Sequence, residues 1–256
     1  MTMDAWSQLR ALTSARIALG RSGGSLPTRE RLDFQLAHAR ARDAVLAPFD
    51  AAAFATRLRA VFEPVLTVQS AAPDRPRYLR RPDLGRRLST ESRTLLTQTA
   101  AQLPPFDLVI IASDGLSTHA VTTHCEPLMR TLLPLIQSSG WSLAPFVVAH
   151  HGRVALQDEI GALLKARVSV MLLGERPGLG SADSLGAYFT FDPSPGRTDA
   201  ERNCISNIRD GGLAIPAAAA KLHSLLTQAF HLRLSGVHLK DEGLALPISA
   251  DPTLQG

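Results

Sequence analysis

The sequence predicts an α/β protein: a mostly parallel sheet with helices on both faces, preceded by a helical N-terminal region. Three observations carry this. Leu108–Ile111, Ala144–Val148 and Val168–Leu173 are short, continuous apolar runs, rich in β-branched residues, as strands buried on both faces should be. Segments of helical length and pattern separate them, and that alternation implies parallel pairing. The first and third runs end in Ser113-Asp114-Gly115 and in Gly174-Glu175-Arg176-Pro177-Gly178-Leu179-Gly180. Turns of this kind stand at the carboxyl ends of strands, where open α/β sheets take ligands.

Each element has a local reason. Arg29–Leu46 has helix-forming composition between Pro27 and Pro48. Phe54, Leu58, Val61 and Phe62 recur at helical spacing and mark a second helix face. Ala71–Leu84, with Pro73, Pro76, Pro82 and the adjacent Gly85, reads as an extended connector. Gln102–Pro105 marks a boundary. Ser117 is the expected N-cap of a helix that Pro127 interrupts or restarts. Val154–Lys165 is a helix with one face of Leu156, Ile160, Leu163 and Leu164; Asp158 and Glu159 lie early and Lys165 late, matching the helix dipole. Ala187–Phe191 and Cys204–Ile208 are further strands, and a last helix starts with Pro216 in its first turn and stops at Gly236. The expected organisation is a helical, basic region over 1–100, a sheet domain over 101–240 and a flexible tail over 241–256.

The 256 residues are 45% hydrophobic and 20% charged, with mean hydropathy +0.04, which excludes collagen-like and wholly disordered classes. No run of about 18 apolar residues occurs, so no membrane span is expected. Asp4, Arg10, Arg16 and Arg21 break any apolar signal-peptide region. Two widely spaced cysteines, Cys125 and Cys204, exclude a cysteine-rich zinc site and fit a reducing cytoplasm. The net charge is +4 and the pI about 9.6. The basic excess sits in residues 1–100, which hold 16 basic against 9 acidic side chains, densest between Arg75 and Arg93. That excess calls for an anionic partner or is a solvated arginine face. No nucleic-acid motif accompanies it, so nucleic acid is not the expected partner.

Motif searches for free-standing catalysis are negative. There is no G-x-x-x-x-G-K-[ST], since none of Lys165, Lys221 and Lys240 follows a glycine. There is no G-x-G-x-x-G, H-E-x-x-H or C-x-x-C. Ser117 and His119 lack a visible orienting acid. His150 and His151 are adjacent; strand alternation would aim them to opposite faces, against two-point metal ligation. Cys125 reads as core. Glu175, just past a buried strand and beside glycines, is a ligand-side acceptor or an ion-pair partner of Arg176 or Arg202, and Cys204 by itself reads as packing.

Long ordered motifs then match one family. Gly174–Gly180, Asp183-Ser184-Leu185 with Tyr188, and Asp199-Ala200-Glu201-Arg202-Asn203-Cys204-Ile205-Ser206-Asn207-Ile208 resemble the small subunit of ethanolamine ammonia-lyase. Supporting matches are Arg81-Pro82-Asp83-Leu84-Gly85-Arg86-Arg87-Leu88, Ser113-Asp114-Gly115-Leu116-Ser117, Gly152-Arg153-Val154 with Asp158-Glu159-Ile160-Gly161, and Ser235-Gly236. The resemblance runs from about Thr13 to Lys240.

The resemblance implies a carbon–nitrogen lyase complex in which a large TIM-barrel subunit holds ethanolamine and releases ammonia and acetaldehyde. Adenosylcobalamin would lie between the subunits, against a Rossmann-like wall made by residues 101–240, with residues 1–100 docking on the large subunit. Homolysis of the cofactor's cobalt–carbon bond would give the adenosyl radical that abstracts a substrate hydrogen. Carried residue by residue, the family's cobalamin contacts fall on Val154, Glu175 and Cys204. No catalytic residue is expected on this chain. No metal ligand is either, because it lacks the D-x-H-x-x-G pattern that gives cobalt a histidine in some B12 mutases. A cytoplasmic bacterial location is implied. Packaging in a bacterial microcompartment is doubtful, because the family-like region begins almost at once. The alternative is a stand-alone α/β enzyme that binds a nucleotide, which would have to do so without a phosphate loop.

Overall fold

Residues 15–240, with Trp6, Leu9, Arg10, Leu12 and Thr13, are described by a computed structural model. The tail expected to be flexible, 241–256, lies outside the described residues. Seven α-helices are found among the described residues: α1 (Thr28–Leu46), α2 (Ala51–Leu58), α3 (Arg75–Arg80), α4 (Thr90–Ala101), α5 (Thr118–Ser138), α6 (Leu156–Leu163) and α7 (Ile215–Leu232). The strands are β1 (Val65–Gln69), β2 (Phe106–Ser113), β3 (Phe146–His150), β4 (Ala166–Gly174), β5 (Leu185–Phe191) and β6 (Asn203–Ile208).

The strands form one sheet in the order β1-β3-β2-β4-β5-β6. The first four in that order are parallel, while β5 runs antiparallel to both β4 and β6. Successive residues of β2 feed opposite faces, as strand geometry requires. Leu108, Ile110 and Ala112 meet α2, α5 and α7, whereas Val109 and Ile111 meet α4 and α6. The expected α/β architecture with helices on both faces is therefore present.

Several expectations are corrected. The stretch read as wholly helical before residue 100 contains β1, which joins the sheet edge against β3. Its Val-Leu-Thr-Val core is strand composition. The helix of Phe54 and Leu58 stops at Leu58, short of the expected face: Val61 and Phe62 lie in the turn that leads through Glu63-Pro64 into β1. The connector at 71–84 contains α3, because Asp74 caps it through Arg77 N–H at 2.7 Å and a proline in the first turn is compatible with a helix. Pro127 does not interrupt α5. The helix passes through Pro127 and Pro134, buries Leu128, Met129, Leu132 and Ile136, and is capped by Ser117 as expected. Burying each large side chain contributes roughly 1.5–3 kcal/mol, and together they outweigh a cost of about 3 kcal/mol per internal proline. The last helix ends at Arg233, which takes a left-handed φ of 57°, before Gly236 is reached. Cys125 is core, as read.

One buried ion pair ties the antiparallel edge to α6. The Arg202 guanidinium meets both Asp158 carboxylate oxygens at 2.6 and 2.7 Å, with each side chain under 5% exposed. Replacing Asp158 by Ala leaves that buried guanidinium with only the exposed Asp199 carboxylate, 3.4 Å from its Nε, so stability should fall by about 3 kcal/mol. Thermal and denaturant unfolding of Asp158→Ala measure this; a change under about 1 kcal/mol would contradict it.

Candidate functional site

The carboxyl ends of β1 to β4 converge on a buried polar cluster. Asp114, 1% exposed, follows β2. Its Oδ2 accepts from Arg75 Nη1 at 2.8 Å, and its Oδ1 accepts from the His151 backbone N–H at 2.8 Å. Arg75 also donates to the backbone oxygens of Gly115 and Val45. Ser113 Oγ accepts from Gly152 N–H at 2.9 Å. The turn has no room for larger residues: a Cβ on Gly115, whose φ is 53°, would lie 2.3 Å from the Gly174 carbonyl oxygen. At this edge the connection from β2 leaves to the α5 face and that from β3 to the α6 face, which opens a crevice.

His150 and His151 lie closer than alternation predicts. His151 takes φ 58° and leaves the strand, so the two rings stack at 4.0 Å, 17° from parallel. Their ring nitrogens and Asp114 fall within 4.8 Å. Near-parallel rings send their in-plane lone pairs side by side rather than to one point, and the Arg75 guanidinium already serves Asp114 as cation. Burial holds His151 towards its neutral form, against the pull of Asp114. Tyr78 stacks on His151 and donates to the Gly152 carbonyl at 3.1 Å; burial drives its phenol pKa up.

Above this floor lies a cleft of about 370 Å³, lined by Leu116, Arg153, Leu173, Glu175, Arg176 and Tyr188 among others. Glu175 is not ion-paired to Arg176 or Arg202 among the described residues; Arg202 is committed to Asp158. Its Oε2 instead accepts from Ser184 Oγ at 2.5 Å and Asn207 N–H at 3.2 Å, and its Oε1 from Tyr188 OH at 3.2 Å. Three of a carboxylate's roughly four lone-pair positions are thus filled, and one on Oε1 is left. Gly186 makes this possible: a Cβ there would lie 2.8 Å from Glu175 Oε1 and 2.7 Å from Tyr188 Cε2.

Cys204 faces Tyr188 across the β5–β6 ladder, so both project to the same side as Glu175. Cys204 is exposed, with Sγ 3.1 Å from Ser206 Oγ. Val154 is half-buried in the turn before α6, not within the helix, beside the cleft residue Arg153; it and Tyr188 pack on the same core. The structure therefore brings Glu175 and Cys204 together and sets Val154 on the same face. Sequence reasoning missed Arg153 and Tyr78 as site residues. It quoted Ser184 and Tyr188 only as motif letters, with no sign that both would donate to Glu175.

Among the described residues no helix covers Cys204 and Ser206 on this side of the sheet, although α6 buries Thr190 and Arg202 farther along it, so they form an open platform with half-buried Tyr188 beside the cleft. A sequence profile described as ethanolamine ammonia-lyase light chain matches residues 3–240. The chain belongs to this family. Relatives named ethanolamine ammonia-lyase small subunit include one from Azotobacter vinelandii, 55% identical over 94% of this chain and 90% of its own length. One from Pseudomonas fluorescens Pf0-1 is 54% identical over 93% and 87%, and one from Pseudomonas aeruginosa PAO1 is 55% identical over 93% and 87%. The chain is thus an ammonia-lyase subunit, and no helix among its described residues is long and apolar enough to cross a membrane.

Desolvation by the surrounding protein and the nearby Glu175 carboxylate raise the Cys204 thiol pKa, against hydrogen bonds to Ser206 and Tyr188 that lower it. The thiolate is the nucleophile. Alkylation of the folded chain should therefore be confined to Cys204 and should accelerate only above the pH range of an ordinary cysteine. Rate against pH by mass spectrometry reads this, with buried Cys125 as internal control; an inflection at or below the ordinary value would contradict it.

Proposed function

We propose that this light chain forms one wall of an adenosylcobalamin site at an interface with a large, substrate-holding subunit, in the conversion of ethanolamine to acetaldehyde and ammonia. The observation that carries the reading is the Glu175 carboxylate, pinned by three donors at the mouth of a cleft and adjoining an uncovered sheet face. A corrinoid is broad and apolar on its faces and fringed with amides. The residues present fit it: an open platform of Tyr188, Cys204 and Ser206, glycines that permit close approach, and a carboxylate with one acceptor position left.

When bound, this cofactor supplies radical chemistry that side chains cannot. The light chain's part is to bind and orient. Glu175 accepts a hydrogen bond from an amide or hydroxyl of the cofactor. Ser184, Tyr188 and Asn207 fix the direction of that acceptor, so little side-chain freedom is lost on binding. Cys204 and Val154 pack against the ligand. None of these residues performs the deamination, and none ligates cobalt. The cytoplasm is the proposed location.

Docking on the large subunit falls to the N-terminal third. Helix α1 buries none of its residues and exposes Leu32, Phe34 and Leu36. Arg75, counted in the basic stretch, is 13% exposed and committed to Asp114, and Arg93 pairs with Glu159. The docking charge therefore reduces mainly to Arg77, Arg80 and Arg86, with Arg81 and Arg87 sharing the single carboxylate of Asp83.

Glu175→Ala should weaken adenosylcobalamin binding by the assembled enzyme about ten- to a hundredfold, the worth of a hydrogen bond to a charged group. Unchanged affinity in an absorbance titration would refute its role. Reversing Arg86 and Arg87 to Glu should lower recovery of the large subunit in co-purification while leaving the light chain folded; intact assembly would count against docking there.

A further inference from the structure

Two guanidinium groups in the cleft have no carboxylate partner among the described residues. Arg153 lies over the Tyr78 ring at 4.2 Å, and its Nη2 donates to the Tyr78 carbonyl oxygen at 3.3 Å. Its Nε is buried and has no hydrogen-bond partner. Arg176 stands exposed on the first turn past Glu175. Both line the 370 Å³ cleft, and both also line a second compartment of about 500 Å³ walled by Val45, Leu79, Pro177 and Leu179. The two arginines thus stand where the compartments meet.

This arrangement is costly unless an anion arrives. A buried donor without an acceptor costs about 1–3 kcal/mol. Neither nearby carboxylate pairs with the two arginines: Glu175 is held by Ser184, Tyr188 and Asn207, and Asp114 by Arg75. Arg153 is also held in place, since its backbone N–H donates to Gly85 O at 2.8 Å and Tyr78 stacks beneath its planar head. A planar, fixed fork of donors suits a tetrahedral oxyanion.

We infer that Arg153 and Arg176 form a seat for the phosphodiester that joins the corrinoid ring to its nucleotide tail. The inference rests on the corrinoid reading above and extends it to residues with no part in that reading. Chemistry singles out the group. The ring's side chains are neutral amides, for which Glu175 is the acceptor, and the phosphodiester is the cofactor's one anion. With Glu175 holding the amide fringe, the tail runs past the arginines into the larger, more apolar compartment beside α1.

The test compares two ligands on the assembled enzyme: adenosylcobalamin, and adenosylcobinamide, which has the ring and adenosyl group but no phosphodiester or nucleotide. Equilibrium affinities come from absorbance or calorimetric titration. Arg176→Gln, at an exposed position, guards against misfolding, and Arg153→Gln removes the stacked fork. Each should weaken adenosylcobalamin about ten- to a hundredfold and leave adenosylcobinamide within about twofold. Equal loss for both ligands, or no loss for either, overturns the phosphodiester assignment alone. Inorganic phosphate should compete with adenosylcobalamin; if it instead binds the complex already saturated with adenosylcobalamin and the variants abolish that, the arginines serve a free anion and the inference fails. Should the unmodified complex bind neither corrinoid, the corrinoid reading itself falls, and this inference with it.

Discussion

The pairing of Arg75 with Asp114 is the contact on which the geometry of the ligand edge depends. Two charges taken out of water are tolerated only where they pair closely and find further hydrogen-bond partners. Here Arg75 reaches back to α1 through the Val45 carbonyl and forward to Gly115, while Asp114 fixes the backbone of His151. Four chain segments far apart in sequence are locked at one point. The turns after β2 and β3 are held so that Tyr78, His151 and Arg153 stack in a column, with the cleft above it. The N-terminal segment and the sheet are consequently one mechanical unit at this edge.

The second constraint is the change of strand direction at β5. A parallel strand needs a crossover, and crossovers bring helices that cover both faces. The antiparallel hairpin of β4 and β5, followed by β6, adds width to the sheet without adding a helix on the α6 side. The uncovered face is thereby created by topology: Ile205 points into the core under α7 while Cys204 and Ser206 point out, and a break in the ladder at Asn207, whose φ is 62°, turns Ile208 back into the core. Glu175 sits at the hinge between the covered and uncovered parts, where it can hold a fringe while the platform supports a face.

How much of this could be read beforehand follows from the range of each interaction. β2, β3 and β4 announced themselves because strands buried on two sides must be apolar throughout. The cap at Ser117 and the glycine turns were equally local signals. β1 was hidden because Phe54, Leu58, Val61 and Phe62 share helical spacing, which carried the helical reading past Glu63-Pro64, where the period changes. Pro127 misled because helix continuity there is decided by packing distant in sequence. The histidine pair defied alternation because His151 adopts a left-handed backbone, which nothing in its neighbours' identity requires. For the site, Glu175 was visible from its place after β4. Its three donors were not, since Ser184, Tyr188 and Asn207 come together only when β5 and β6 fold back.

Helix α1 has 19 residues and buries none of them. Isolated helices of that length are marginal in water, and most helical stability in proteins comes from a packed face. Leu32 and Leu36 fall on one side and Phe34 on another, so no single groove of this chain could shelter both. Under the proposed docking, the large subunit would supply the packed face that this helix lacks. Association would then remove two apolar stripes from water at once, and its calorimetric fingerprint would be a heat-capacity decrease larger than the charged rim alone could produce.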